Sequence, residues 1–576
     1  MKLKERITVV LVLAVSISLL LGVPAGAEGG RKEKVNIHKL LKKMSLEEKV
    51  GQMIMVGFKG SEPSEDIRHL IQDVHAGNVI LFAWSENVKD PVQTAQLNNG
   101  LQTYAENTRL KIPLLIATDQ EGGVVARMTT GATELPGNMA LGAGRDRWGA
   151  YEAAALTAAE LKAVGINMNL APDVDVNVNP DNPVIGVRSF GEDPQLVARM
   201  GVAAIRGYQW NGVVATAKHF PGHGDTDVDS HLGLPVIDKS REELERVELV
   251  PFKRAIRSRI DAIMTAHIHV PALDDTPKLP ATLSKPILTG LLRKEMGYRG
   301  IIITDSMTMA GVADYFGGVP KAAVKAVEAG ADVVLLTPEL TTEKQREVYN
   351  ELLKAVRSGE ISEKRLDQSV KRILKAKVKY RLFTERQVDV GKVAERVGTP
   401  EHREKAAKLA RKSITLVQNK NGLLPLKMDP SEKLGIISSY SLKEDTVPYH
   451  ANLTELRYRQ MNPTDREITE AVEVAKGQDV LIVGTYSSSL YPKQVKLVKE
   501  LQKLGKPMTV IAFRNPYDLK DYPDVDAYVA AYGFRSVSLK AAVDTLFGAN
   551  RPAGKLPVTI PDLYPYGHGL TYGDCD

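Results

Sequence analysis

The sequence holds a single cysteine, Cys575, in 576 residues, so no intramolecular disulfide is available and stability must rest on a large apolar core. A charge bias is missing as well. The 76 basic and 70 acidic side chains leave a formal charge of +6, too small a surplus for a nucleic-acid binder of this length. No low-complexity tract or short repeat interrupts a composition that is 43% hydrophobic and 25% charged, ordinary for a globular protein. Long apolar runs are absent with one exception. Lys2, Lys4 and Arg6 precede an almost unbroken apolar run over 7–23, and the small residues Pro24-Ala25-Gly26-Ala27 follow. This is the pattern of a secretory signal peptide over 1–27, cleaved after Ala27; the alternative, an uncleaved membrane anchor, needs a longer run. No cysteine lies near the cleavage point, which excludes a bacterial lipoprotein anchor. Cleavage removes three basic groups and Glu5, lowering the formal charge from +6 to +4. The mature protein is therefore expected to be secreted, extracellular or cell-wall associated, with no membrane span and no nucleic-acid partner.

What is present is organised. Ser45-Leu46-Glu47-Glu48 reads as a capping box opening a helix. Eight short apolar strand candidates then recur at 52–58, 78–82, 112–118, 165–170, 213–218, 262–268, 300–305 and 332–337. Amphipathic stretches such as 148–164, 241–258 and 321–329 lie between them. Buried-type strands alternating with helices predict an α/β fold, an N-terminal (β/α)8 TIM-type barrel over 28–385. A doubly wound open sheet is the main competitor from pattern alone. A charged stretch with Gly398 and Pro400 reads as a linker over 386–405. Further strand candidates at 413–417, 434–438, 480–485, 509–513 and 527–531 predict a smaller α/β sandwich domain over 406–576. That second domain carries no comparable cluster of reactive groups, so its expected role is structural.

Polar residues fall at the ends of successive barrel strands: Asp119 after the third, Asn169 and Asp173 after the fourth, Lys218 and His219 at the fifth, His267 and His269 at the sixth, Asp305 at the seventh. In a barrel these ends converge on one face, where active sites form. The densest segment runs from Lys218 to His231. A calcium loop on Asp225, Asp227 and Asp229 fails because Ser230 and Val236 stand where an EF-hand needs Gly and Glu. A zinc site would draw on His219, His223 and His231 with His267 and His269. Acid/base chemistry would use Asp229 to orient and charge-stabilise His231, one residue away. A loop merely held by an Asp–His hydrogen bond is the structural alternative. Asp305, after the run Ile301-Ile302-Ile303-Thr304, is placed to attack an acetal carbon, as in retaining glycosidases whose two catalytic groups lie about 5 Å apart; a helix N-cap is its structural alternative. Asp119, Arg127, Arg188, Lys218 and His219 suit sugar hydroxyls, though each also suits a salt bridge.

These motifs resemble glycoside hydrolase family 3. The segment Asp119-Gln120-Glu121-Gly122-Gly123-Val124-Val125-Ala126-Arg127 resembles its sugar-binding run, and Arg188-Ser189-Phe190-Gly191-Glu192-Asp193-Pro194 its substrate-contacting loop. Lys218-His219-Phe220-Pro221-Gly222-His223-Gly224 with Asp229-Ser230-His231 resembles the signature of its β-N-acetylglucosaminidase branch, and Thr304-Asp305 its nucleophile position. The likeness continues through Leu416-Val417-Gln418-Asn419 to Tyr566-Gly567-His568-Gly569-Leu570. It implies Asp305 as nucleophile, His231 as acid/base and Asp229 as its partner, with Asp119, Arg127, Arg188, Lys218 and His219 binding a terminal N-acetylglucosamine. No cofactor and no metal are implied. The expected substrate is β-linked GlcNAc on cell-wall fragments of the GlcNAc-MurNAc type; chitooligosaccharide trimming, phosphorolysis and a wall-binding role on an inactive fold are the alternatives.

Overall fold

The computed structural model describes residues 35–313 and 317–572. The expected signal peptide and the lone Cys575 lie outside the described residues. Ser45 caps the helix Leu46–Gln52 and Glu48 reaches back to the Ser45 amide, so the expected capping box is present.

Eight parallel strands close into a barrel: β1 (Ile54–Gly57), β2 (Asn78–Leu81), β3 (Leu115–Thr118), β4 (Met168–Asn169), β5 (Val214–Phe220), β6 (Ala262–Thr265), β7 (Ile301–Ser306) and β8 (Val333–Leu335). Pairing of Ile54 with Val334 and of Met55 with Leu335 closes the ring, which settles the barrel over the open sheet. The strands are buried along nearly their whole length because helices cover the outside and side chains fill the inside. β5 and β7 run past their candidate ranges into chemistry-bearing residues. There the ladders lose register, between Ala217 and Phe220 and between Ile303 and Ser306. Such irregularities re-aim side chains at a barrel rim.

The second sheet has the order β11-β10-β12-β13-β14-β9, built from β9 (Thr415–Asn419), β10 (Leu434–Ser438), β11 (Leu453–Arg457), β12 (Val480–Thr485), β13 (Met508–Ala512) and β14 (Ala527–Ala530), with β9 antiparallel. Neighbouring residues serve opposite faces: Ile437, Leu481 and Val510 join one core, while Ile436, Ile482 and Ile511 join the other. The sheet is thus covered on both sides, as the expected α/β sandwich requires. β11 has no counterpart among the sequence candidates. It is a half-exposed edge strand, Leu-Thr-Glu-Leu-Arg, with no buried apolar run to announce it.

Residues 386–405, expected as a linker, are packed and partly helical. Val388 N–H donates to Asn99 Oδ1 at 2.9 Å and Gly398 N–H to Glu160 Oε1 at 2.9 Å. Thr399 caps the helix Pro400–Ser413, so the glycine and proline mark a helix start. The sandwich domain grips the barrel loops that follow β3 and β4. Arg535 Nε donates to Gly123 O at 2.9 Å, Asn177 Nδ2 to Tyr517 Oη at 3.0 Å, and Thr559 N–H and Oγ1 both to Glu192 at 2.7 Å. No helix among the described residues is long and apolar enough to cross a membrane.

Candidate active site

The strand ends surround a cleft of about 370 Å³ with Ile80, Leu170, Met264 and Leu335 among its apolar lining. Seven of the eight residues to which the family resemblance gives roles line it: Asp119, Arg127, Arg188, Lys218, His219, His231 and Asp305. The eighth, Asp229, stands behind His231. Among the described residues, none of the sandwich domain lines the cleft. Its contacts instead hold the loops that carry Glu121 and Arg188.

One wall is a closed network of charges. Lys218 Nζ lies 2.8 Å from Asp119 Oδ1 and 2.8 Å from Glu121 Oε1. Arg188 forks onto Glu121 through Nε at 3.0 Å and a terminal nitrogen at 2.8 Å. The same guanidinium stands 3.2 Å from His219 Nε2. On the far side of the ring, Nδ1 meets Asp175 Oδ2 at 2.6 Å. These neighbours assign the tautomer: Nδ1–H donates to Asp175, and Nε2 accepts from Arg188. Asp175 Oδ1 also accepts from the His219 and His223 amides, at 3.1 and 2.7 Å. Burial pushes Asp119 and Glu121 up, but Lys218 with Arg127 and Arg188 with Lys218, respectively, hold both carboxyls below their ordinary values. Burial pushes Lys218 and Arg188 down, but Asp119 with Glu121 more than restores the lysine, and Glu121 with Asp173 the arginine. The network is therefore fully ionised at neutral pH, a rigid frame of fixed dipoles for sugar hydroxyls.

Asp173 differs. Burial and the neighbouring Asp175 carboxylate push it well up, and its Oδ2 has no hydrogen-bond partner although Arg188 lies 3.7 Å away. Both causes favour its protonated form. Asn169, also expected at the strand ends, exchanges two 2.9 Å hydrogen bonds with the Gln120 backbone and so fixes the loop that carries Glu121.

Asp305 sits at the end of β7, its Oδ1 accepting the Ser306 N–H at 2.7 Å. Burial pushes it up, but His219, His267, that amide and Lys218 hold it below the usual carboxylate value. It is an ionised carboxylate facing the cleft. Burial pushes His267 down; its Nδ1 lies 2.8 Å from Thr282 Oγ1, and its Nε2 donates to Ser306 O at 2.9 Å. That bond anchors the residue after Asp305 from the neighbouring strand.

His231 rides the loop after β5. Asp229 Oδ1 takes both its amide, at 2.8 Å, and its Nδ1–H, at 2.7 Å. Nε2 is left without a protein partner among the described residues, on a side chain 60% exposed. The loop is pinned by His223, buried and lowered to about 4, which sits between Thr226 Oγ1 at 2.9 Å and Ser230 Oγ at 3.0 Å.

The histidines of the zinc reading are each committed separately: His223 and His267 as above, and His269 Nδ1 on Leu279 O at 3.2 Å. Among the described residues one group, Asp173, Asp175 and His219, has three ligand atoms within 4.8 Å of one another. A cation there would meet the Arg188 guanidinium, which already serves as the counter-charge. Glu121, Asp175 and Trp84 were not singled out from the sequence. Glu121 lies inside the motif run, Asp175 alternates with Asp173, and Trp84 is an exposed ring on the cleft wall beside Phe82.

This fold and site define a barrel hydrolase of the carbohydrate-active kind, and comparison supplies the family. The model described as the glycosyl hydrolase family 3 N terminal domain matches residues 45–376, and that of its C-terminal domain matches 414–572. β-Hexosaminidase A of Pseudoalteromonas piscicida is 33% identical across 90% of this chain and 97% of its own. A protein of Cellulomonas fimi called β-N-acetylglucosaminidase/β-glucosidase is 29% identical across 90% and 94%. The solved structure of a family 3 β-N-acetylglucosaminidase from Paenibacillus sp. str. FPU-7 is similar with a TM-score of 0.84 and 38% identity, covering 90% of this chain and 99% of that one. The chain belongs to glycoside hydrolase family 3.

Proposed function

We propose that this protein is a retaining exo-β-N-acetylglucosaminidase that releases terminal GlcNAc from cell-wall muropeptide fragments outside the cell or at the wall. The observation that carries the reading is the cleft itself. It has an ionised Asp305 in its wall, the Asp229-held His231 at its edge, and the Asp119–Lys218–Glu121–Arg188 network alongside. Naming of full-length relatives as β-hexosaminidase and β-N-acetylglucosaminidase supports the sugar. The N-terminal pattern supports export, and export favours wall material as the natural substrate.

In the first step an Asp305 oxygen bonds to the anomeric carbon while the bond to the leaving oxygen breaks. His231 Nε2–H gives that oxygen its proton, and Asp229 stabilises the imidazolium from which the proton is taken. In the second step Nε2 takes a proton from water, whose oxygen displaces Asp305 and frees the sugar. His231 is restored at the end. Asp119, Arg127, Arg188, Lys218 and His219 orient the glycone hydroxyls.

The test is hydrolysis of p-nitrophenyl β-N-acetylglucosaminide beside the β-glucoside, with and without a chelator. Chelator-resistant cleavage of the N-acetyl substrate, with release of free GlcNAc from GlcNAc-MurNAc fragments, is the expected result. Folded protein that cleaves neither glycoside would overturn the reading.

A further inference from the structure

A second cleft, of about 560 Å³, lies on the outer wall of the barrel between the helices Arg147–Ala163, Pro194–Trp210 and Leu249–Arg257. It shares no lining residue with the catalytic cleft. Arg147, Arg199, Arg206, Arg254 and Arg257 all line it, all are exposed, and no carboxylate does. Among the described residues none of the five has an ion-pair partner. The nearby Asp146 is committed to capping its helix through the Trp148 amide and to Lys412 at 3.1 Å. Five cations held together without a counter-charge repel one another, so the arrangement costs stability unless something anionic occupies it.

The same surface carries a row of rings. Trp148 and Trp210 are 60% and 69% exposed, with Tyr151 between them at centroid distances of 6.1 and 5.9 Å. Arg147 lies over Trp148 at 5.3 Å and Arg206 over Trp210 at 5.8 Å, which fixes ring and cation together. The chain has three tryptophans; Trp84 lines the catalytic cleft and the other two are here. Large exposed rings mark binding surfaces. Flat apolar rings stack on the C–H faces of pyranoses, while arginine forks pair with carboxylates. From Gln195 to Trp210 the groove follows one helix for about 22 Å, long enough for a polymer rather than a single small ion.

We propose that this groove binds a carboxylate-bearing glycan chain, the polymeric form of the wall material whose fragments the catalytic cleft takes. The identity of the polymer rests on the proposed function; the aromatic and cationic groove does not. Holding the polymer raises the local concentration of the chain ends that the cleft consumes.

The experiment is co-sedimentation of the full chain with insoluble peptidoglycan, with chitin as the uncharged GlcNAc polymer, and with single-stranded DNA as an anionic competitor. The expected result is binding to peptidoglycan that weakens as salt rises and exceeds binding to chitin at least tenfold. In the triple variant W148A/W210A/R206Q that binding falls at least tenfold, while turnover of the nitrophenyl substrate is unchanged and certifies the fold. Equal retention on chitin and peptidoglycan, or retention unaffected by the variant, would overturn the proposal. So would tighter binding of DNA through the same residues, or a dimer seen in sedimentation velocity that the variant dissociates. Failure of the wild type to cleave the nitrophenyl glycoside would instead sink the proposed function and leave the groove's binding to be read separately.

Discussion

Two Asp–His pairs stand on the same cleft, and they are built from the same parts with different results. His219 and His231 each place Nδ1 on a carboxylate, at 2.6 and 2.7 Å. Around His219 everything is occupied: the pair is buried, and Arg188 takes Nε2. Around His231 the carboxylate side is fixed and Nε2 has no protein partner among the described residues, on an exposed ring that lines the cleft. A ring with both nitrogens committed orients and binds. A ring with one nitrogen committed and the other free carries a proton to and from a reacting atom. The sequence motif Asp-x-His marks only the second pair. The first comes from Asp175 and His219, which are far apart in sequence and meet through adjacent barrel strands.

The comparison can be pressed experimentally. Asp305 serves both pairs' cleft, so Asp305→Ala is expected to have the largest effect, a loss of at least about a thousandfold in kcat. Because its neighbours hold Asp305 below the usual carboxylate value, ionisation is lost only as pH falls through that lowered value. The acid limb of kcat/KM due to Asp305 should therefore lie below about pH 4. A limb between pH 5 and about 6 that persisted in His231→Ala would contradict the assignment of an ionised nucleophile. His219→Ala breaks a buried relay between Asp175 and Arg188. It is expected to raise KM by roughly tenfold to a hundredfold, from a loss of about 1–3 kcal/mol of hydrogen bonding, equally for good and poor leaving groups. Leaving-group dependence in that variant would blur the two roles. The smallest effect belongs to the carboxyl whose burial beside Asp175 favours the protonated form: Asp173→Asn should change kcat/KM by less than about threefold, since the amide mimics that form. A large loss would mean that Asp173 is ionised when substrate binds.

Much of this arrangement was readable in the residues because barrels put strand ends on one face. A polar residue after an apolar strand is then placed by topology alone, which is why Asp119, Lys218, His219 and Asp305 could be picked out one strand at a time. Asp229 and His231 were readable because their partnership is local. What escaped depended on contacts no single segment records. Glu121 matters because Lys218 and Arg188 converge on it from two other elements. Asp175 matters because β5 and the loop after it turn two amides and a ring onto it. The edge strand β11 escapes a pattern reading because half-exposed residues lack an apolar run, and 386–405 reads as a linker because charge on a solvated helix face looks like charge in a loop. The arginine-lined groove was invisible for a similar reason: its cations come from three helices, each unremarkable by itself.

The central claim is the division of labour between the two histidines, and one measurement addresses it directly. Turnover of a series of aryl β-N-acetylglucosaminides with leaving groups of graded acidity is compared for wild type, His231→Ala and His219→Ala. The account predicts that His231→Ala loses about a hundredfold to ten-thousandfold on the least acidic leaving groups and little on nitrophenols, which leave without a proton. It predicts that the loss in His219→Ala is the same across the series. A uniform loss in His231→Ala, or a graded one in His219→Ala, would contradict it.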